Sequence, residues 1–268
     1  MKEEAINLAK KITDPARRLN LLREYLQALV MRSLHESEAF QCIAFVGGTA
    51  LRFLYDLPRF SEDLDFSLDS GNGYDPGKWM SKLKRDLQLA GFDAAVALND
   101  RKTVHSAWIK IGEVLKEAGL AAMAQQKLSI KLEIDTHPPA GAGTRNQVIE
   151  RHRMFAVRCY DLPSLMAGKL HALITRKYCK GRDWYDFVWY RAQRPQPEPN
   201  LFLLQNALDQ TEGKDSFQGD KWKDLVRDKV GKLDINQVQQ DVRPFLEEPK
   251  EVDLITKENL ASLLRPAG

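Results

Sequence analysis

The sequence predicts an α+β fold, with helices and strands mixed in its first part and helices alone in its second. Three observations carry this. Residues 42–46, CIAFV, form a short apolar run stopped by Gly47 and Gly48, as a buried strand would be. Residues 128–135, LSIKLEID, alternate strictly, with Leu128, Ile130, Leu132 and Ile134 on one face and Ser129, Lys131, Glu133 and Asp135 on the other. From Asp161 onward the apolar spacing is helical almost to the end, interrupted by PQPEP at 195–199.

Taken in order, residues 3–38 read as helical, with Leu19, Leu22, Leu26, Leu29, Val30 and Leu34 on one stripe and Pro15 cutting off a shorter opening helix. The strand at 42–46 is followed by a short helix, TALRFLYDL, and a second strand, LDFSLD, at 64–69. The loop SGNGYDPG opens a helix over 77–91, lined by Trp79, Met80, Leu83, Leu87 and Ala90. Strands are expected near 92–98 and 104–111, and 113–124 reads as helix or loop. After the alternating strand and the Pro138-Pro139 turn, NQVIERHRMFAVRCY reads as a strand pair or one bent strand. The proline cluster is the candidate linker, and the change of pattern near 160 divides a mixed domain, 1–160, from a helical one, 161–268. There is no internal repeat.

A chain of 268 residues can bury a sizeable core, and 43% hydrophobic with 29% charged residues is ordinary for a soluble protein. The net charge of +3 points to no partner by itself, although a local basic stripe can hide in such a total. Three scattered cysteines, Cys42, Cys159 and Cys179, exclude a disulfide scaffold or a zinc site and suit a reducing cytoplasm. The opening residues resemble neither a signal nor a transit peptide, and no run of about 18 apolar residues is present to span a membrane. A cytoplasmic protein is expected.

The chemistry concentrates in residues 45–68, FVGGTALRFLYDLPRFSEDLDFSL. A strand ending in Gly47-Gly48 and passing into a helix lets backbone N–H groups approach a phosphate, which the helix N-terminus also favours. Thr49 is placed to cap that helix or to donate its hydroxyl to the same phosphate. Asp63 and Asp65 share one strand face, roughly 6–7 Å apart at the backbone. Like charges so close call for a cation, and magnesium suits carboxylate and phosphate oxygens. Glu133 and Asp135 are candidates for a third carboxylate. Lys169 lies within an apolar helix stripe, where a charge needs an anionic partner or must snorkel; a triphosphate in a cleft facing the helix is one such partner, and Arg176 would extend the basic wall. Asp183 reads as a helix N-cap, and Arg182 with Asp186 as a surface pair. None of the five histidines has a catalytic spacing.

The segments VGGTALRFLYDLPRFSEDLDFSL, KLEIDTHPPAGA, LPSLMAGKLHAL and KGRDWYDF, in this order, resemble the AbiEii/AbiGii toxin family of nucleotidyltransferases. Its members share a polymerase-β-like core with a mixed sheet, and include abortive-infection (phage-defence) and type IV toxin–antitoxin toxins. The likeness covers about residues 40–190. It implies that Gly48 and Thr49 hold nucleotide phosphate, that Asp63 and Asp65 bind magnesium or manganese, and that Lys169 contacts the triphosphate. It also implies that Asp183 or Asp186 completes the site, that Glu133 or Asp135 is the strand acid, and that a cognate antitoxin exists. Thr49 stands where many relatives carry serine, and the helices beyond Pro199 match none of the family's segments.

The expected activity is transfer of a nucleoside monophosphate from an NTP to an acceptor hydroxyl, with the helical domain contributing to the cleft and the tRNA 3′ end as acceptor by analogy. Three rivals remain at this level: a small-molecule, antibiotic-type nucleotidyltransferase, a protein phosphotransferase of the same fold, and a binding module without activity. Converging carboxylates disfavour the last.

Overall fold

The run Ile43–Val46 (β1) lies in the interior of a seven-stranded sheet, which is why its residues are apolar with no polar alternation. The computed structural model describes residues 1–123 and 125–265. The other strands are Leu64–Leu68 (β2), Asp93–Asn99 (β3), Val104–Gly112 (β4), Leu128–Asp135 (β5), Thr144–Ile149 (β6) and Phe155–Tyr160 (β7). Their order is β3-β4-β5-β2-β1-β7-β6. The sheet is mixed: β1 runs antiparallel to β2 and parallel to β7, β2 runs parallel to β5, and β3, β4 and β5 form an antiparallel meander.

The chain divides into two compact units. The first comprises residues 1–56, 60–138 and 144–159. Its helices are Lys2–Lys10 (α1), Pro15–Glu36 (α2), Gly47–Tyr55 (α3), Pro76–Leu89 (α4) and Val114–Glu117 (α5). The alternation of β5 is realised: Leu128, Ile130, Leu132 and Ile134 are buried, as are Ala107, Ile109 and Ile111 of β4 and Leu64 and Phe66 of β2. Helix α2 packs on α1, α4 and β5, burying Leu22, Leu26, Met31 and Leu34. Asp14 and Asp75 cap α2 and α4 by accepting from Arg17 N and Lys78 N, each with proline at the next position.

Two boundaries differ from the sequence reading. Gly47 and Gly48 are not a turn before the helix but its first turn, with Val46 as an N-cap that offers no side chain. Strand β2 begins at Leu64, so Asp63 precedes it. Of the segment 113–124, residues 114–117 form the short α5, and Ala124 lies outside the described residues.

The second unit comprises residues 57–59, 139–143 and 160–268. Its helices are Leu162–Thr175 (α6), Gly181–Ala192 (α7), Leu201–Glu212 (α8), Trp222–Gly231 (α9), Ile235–Val242 (α10) and Lys257–Ser262 (α11). Helix α6 packs against α7, α8 and α9, with Leu165, Met166, Leu170, Leu173 and Ile174 buried among Trp184, Phe187, Leu204 and Trp222. The proline cluster lies inside this unit, between α7 and α8. Segment 57–59 is tied into it by a bridge between Arg59 and Leu246.

Candidate functional site

In the first unit, β1, α3 and β2 meet in a corner that carries Asp63 and Asp65. Val46, the last residue of β1, is paired with Asp65. Gly47 follows with φ +80°, and a Cβ added there would stand 3.0 Å from the Asp65 Cβ. Only glycine tolerates that backbone and that proximity. Thr49 is fully buried and donates its hydroxyl to the Asp63 carbonyl oxygen. This corrects the expectation that Thr49 caps the helix or reaches a phosphate with its hydroxyl: the side chain instead anchors the residue just before β2.

Strand β5 carries the candidates for a third acid. Glu133 is level with Asp65 on the neighbouring strand, and Asp135 is level with Ser67, two residues further along. Asp135 accepts a hydrogen bond from the His137 backbone N–H at 2.9 Å, which turns its carboxylate to the strand end. Glu133 instead pairs with Lys131 at 2.8 Å. That hydrogen bond raises the Lys131 pKa against the opposing effect of burial, and the charges of Glu133, Asp63 and Asp65 add to the rise. The Lys131 ammonium therefore sits in the field of three carboxylates. Sequence reasoning did not single out Lys131, although the alternation that selected Glu133 places Lys131 on the same face.

Among the described residues, no three His, Cys, Asp or Glu side chains converge as a preformed metal cage. Asp65, packed against Gly47, and Glu133, level with it on the adjoining strand, are hard oxygen donors on one sheet face, and Asp63 precedes β2 by one residue. That donor set suits magnesium, which takes one or two carboxylates and completes its shell from water and phosphate.

The second unit carries a separate buried charge network. Lys169 is only 14% exposed at its side chain and contacts Asp183 at 2.9 Å and Asp186 at 2.7 Å. Asp186 also receives a bidentate pair from Arg59, Nε and Nη2 each at 2.6 Å. Asp183 also accepts from Arg176. Burial alone would raise the Asp183 pKa, but the charges of Lys169 and then Arg176 carry it down to about 2. Burial likewise opposes the charge on Lys169, and Asp183 and Asp186 outweigh it, holding its pKa above the ordinary value.

Three expectations are corrected here. Lys180, not Asp183, is the N-cap of α7, and Asp183 lies buried in its first turn. Asp186 is no surface partner of Arg182: it is buried on Arg59 and Lys169, while the Arg182 guanidinium lies 4.2 Å from the Phe245 ring centroid. The anionic partner required by Lys169 is supplied by the protein's own carboxylates. Arg59, the cation that closes the network, had no local signal, because it stands 127 residues from Asp186 in the chain.

The fold is similar to that of JHP933 from Helicobacter pylori, at 19% identity and a TM-score of 0.52, covering 91% of this chain and 90% of that one. A second H. pylori protein, provisionally assigned as a nucleotidyltransferase, aligns at 20% identity and a TM-score of 0.50, covering 91% of this chain and 92% of its own. No curated protein matches the sequence. Within the described residues, no helix is long and apolar enough to cross a membrane. The sequence model described as nucleotidyl transferase AbiEii toxin, type IV toxin–antitoxin system, matches residues 29–258, and with that match the chain belongs to the AbiEii nucleotidyltransferase toxin family.

Proposed function

We propose that this nucleotidyltransferase moves a nucleoside monophosphate from an NTP to the terminal hydroxyl of an RNA, with tRNA as the acceptor and magnesium, or manganese in its place, held by Asp63 and Asp65. The observation that carries the reading is the alignment of Asp65 with Glu133 across β2 and β5, against the glycine turn at Gly47. Backbone N–H groups of Gly47–Thr49, at an N-terminus without a side-chain cap, are suited to the NTP phosphates. The bound metal would polarise the phosphoryl group and offset the charge of departing pyrophosphate.

The acceptor oxygen attacks the α-phosphorus, the bond from that phosphorus to the pyrophosphate oxygen breaks, and the hydroxyl proton passes to Glu133. Lys131 holds the Glu133 carboxylate in position before the transfer. Asp135 is the weaker candidate for this base because its carboxylate is engaged by the His137 N–H. In the second unit, Lys169 is committed to two carboxylates and acts by fixing Asp183 and Asp186. Arg176, 31% exposed at its side chain, is the network's cation that an anionic ligand reaches. Most of the protein's contribution is positioning and charge compensation.

The test incubates the wild type and Asp65→Asn with magnesium, each labelled NTP in turn, and total tRNA. Label entering RNA with the wild type alone is expected. If NTP binds but no label enters RNA, the acceptor assignment fails and a small molecule or a protein takes its place. If Asp65→Asn labels RNA as well as the wild type does, the carboxylate assignment fails.

A further inference from the structure

Trp108 is an outlier among the tryptophans of the first unit. Trp79 is buried, whereas Trp108 is 44% exposed on the polar face of β4. Its position on the sheet is defined by register. Trp108 is opposite Lys131, whose ammonium lies 5.9 Å from the ring centroid and is bonded to Glu133. Lys110, exposed and two residues further along β4, is on the same face.

Reading across the strands gives Val46 at the end of β1, Asp65 on β2, Glu133 on β5 and Ser106 on β4, with Trp108 two residues further along β4 on the face that Lys131 and Glu133 share. Neighbouring strands are about 4.8 Å apart and two residues along a strand span about 6.7 Å, so Trp108 lies roughly 16 Å from the glycine turn but diagonally next to Glu133, on the order of 8 Å away at the backbone. From this arrangement we propose that Trp108 is a stacking platform for an unpaired base near the acceptor end of the RNA, with exposed Lys110 beside it for backbone phosphate. The inference rests on the reading of Glu133 as the acceptor-side base. The donor NTP is held by its phosphates at the opposite end of this arrangement, which assigns the base on Trp108 to the acceptor. A flat π-face takes any base, so the subsite supplies affinity without sequence preference.

The test uses the full chain as wild type, Trp108→Ala and Trp108→Phe. Binding of a fluorescein-labelled, short single-stranded oligoribonucleotide is followed by anisotropy, and binding of magnesium–NTP by calorimetry. Trp108→Ala is expected to weaken the oligonucleotide by about 10- to 100-fold. Trp108→Phe should stay within about threefold of wild type because it keeps a π-face, and NTP affinity should be the same in all three. Equal oligonucleotide affinity in wild type and Trp108→Ala overturns the proposal, as does a loss confined to NTP. Equal losses in the Ala and Phe variants also overturn it, since stacking would then not be the cause. Labelling of RNA by wild type and Trp108→Ala with the same KM removes this inference and leaves the transfer reaction standing. Trp108-dependent RNA binding without any transfer does the reverse.

Discussion

Gly47 and Asp65 are packed so closely that no side chain fits between them. With φ +80° and a Cβ position 3.0 Å from Asp65 Cβ, position 47 is closed to every residue that carries a Cβ. Gly47→Ala is therefore expected to cost about 1–2 kcal/mol from the left-handed backbone alone. It should also push the Asp65 carboxylate aside and lower transfer by about 100-fold. A glycine in open space provides the contrast: Gly168 in α6 has no atom near its Cβ position, so Gly168→Ala should gain roughly 0.5–1 kcal/mol. Thermal melts and initial rates on both variants decide this; full activity in Gly47→Ala would show that the close approach has no role.

Thr49 acts on Asp63 through a single buried hydrogen bond to its carbonyl oxygen. Thr49→Val keeps the shape and removes the donor, at a cost of about 1–3 kcal/mol. If the bond also sets the carboxylate, the rate should fall beyond what stability explains, and Thr49→Ser should restore both. A serine variant as impaired as the valine one would assign the effect to the methyl group's packing.

The Arg59–Asp186–Lys169 set is fully inside the second unit, so removing one member leaves charge buried without compensation. Asp186→Ala is expected to lower unfolding free energy by about 3–5 kcal/mol in urea titrations. The double variant Arg59→Met, Asp186→Leu should lose less than the sum of its single changes, because two apolar groups replace two charges. Strict additivity would mean that the bidentate pair is not energetically coupled.

What the sequence made legible was local. The strand-glycine-helix-strand order and the alternation of β5 each depend on residues a few positions apart, and periodicity reads such distances directly. Lys131 was legible by the same alternation. Asp183 misled because an acid near a helix start has the pattern of an N-cap, while burial beside Lys169 and Arg176 decided its role. Arg59 was beyond reach: it lies in a short connecting segment, and only the folded chain brings it to Asp186.

Glu24 of α2 makes the first unit sensitive to acid. It is buried, with His152 at 2.9 Å, Arg52 at 2.6 Å and Arg151 at 3.5 Å. Burial alone would raise its pKa, but the hydrogen bond from His152 and then the charge of Arg52 outweigh it and bring the value from 4.5 to about 2. A carboxylate depressed in the folded state stabilises fully above its unfolded value. As pH falls below about 4.5 the unfolded chain takes up the proton first, and the contribution drains away until the folded state protonates near 2. At about 1.4 kcal/mol per unit this is on the order of 3 kcal/mol. Asp183, lowered to about 2, acts in the same direction. Glu4 is lowered as well, chiefly by its hydrogen bond from Arg153, but its side chain is 56% exposed and screening discounts it. Urea titrations from pH 7 to pH 3 should therefore show falling stability in the wild type. Glu24→Gln should be less stable at pH 7 and flatter, though not flat, below 4.5. An acid slope unchanged by Glu24→Gln would place the titrating groups elsewhere.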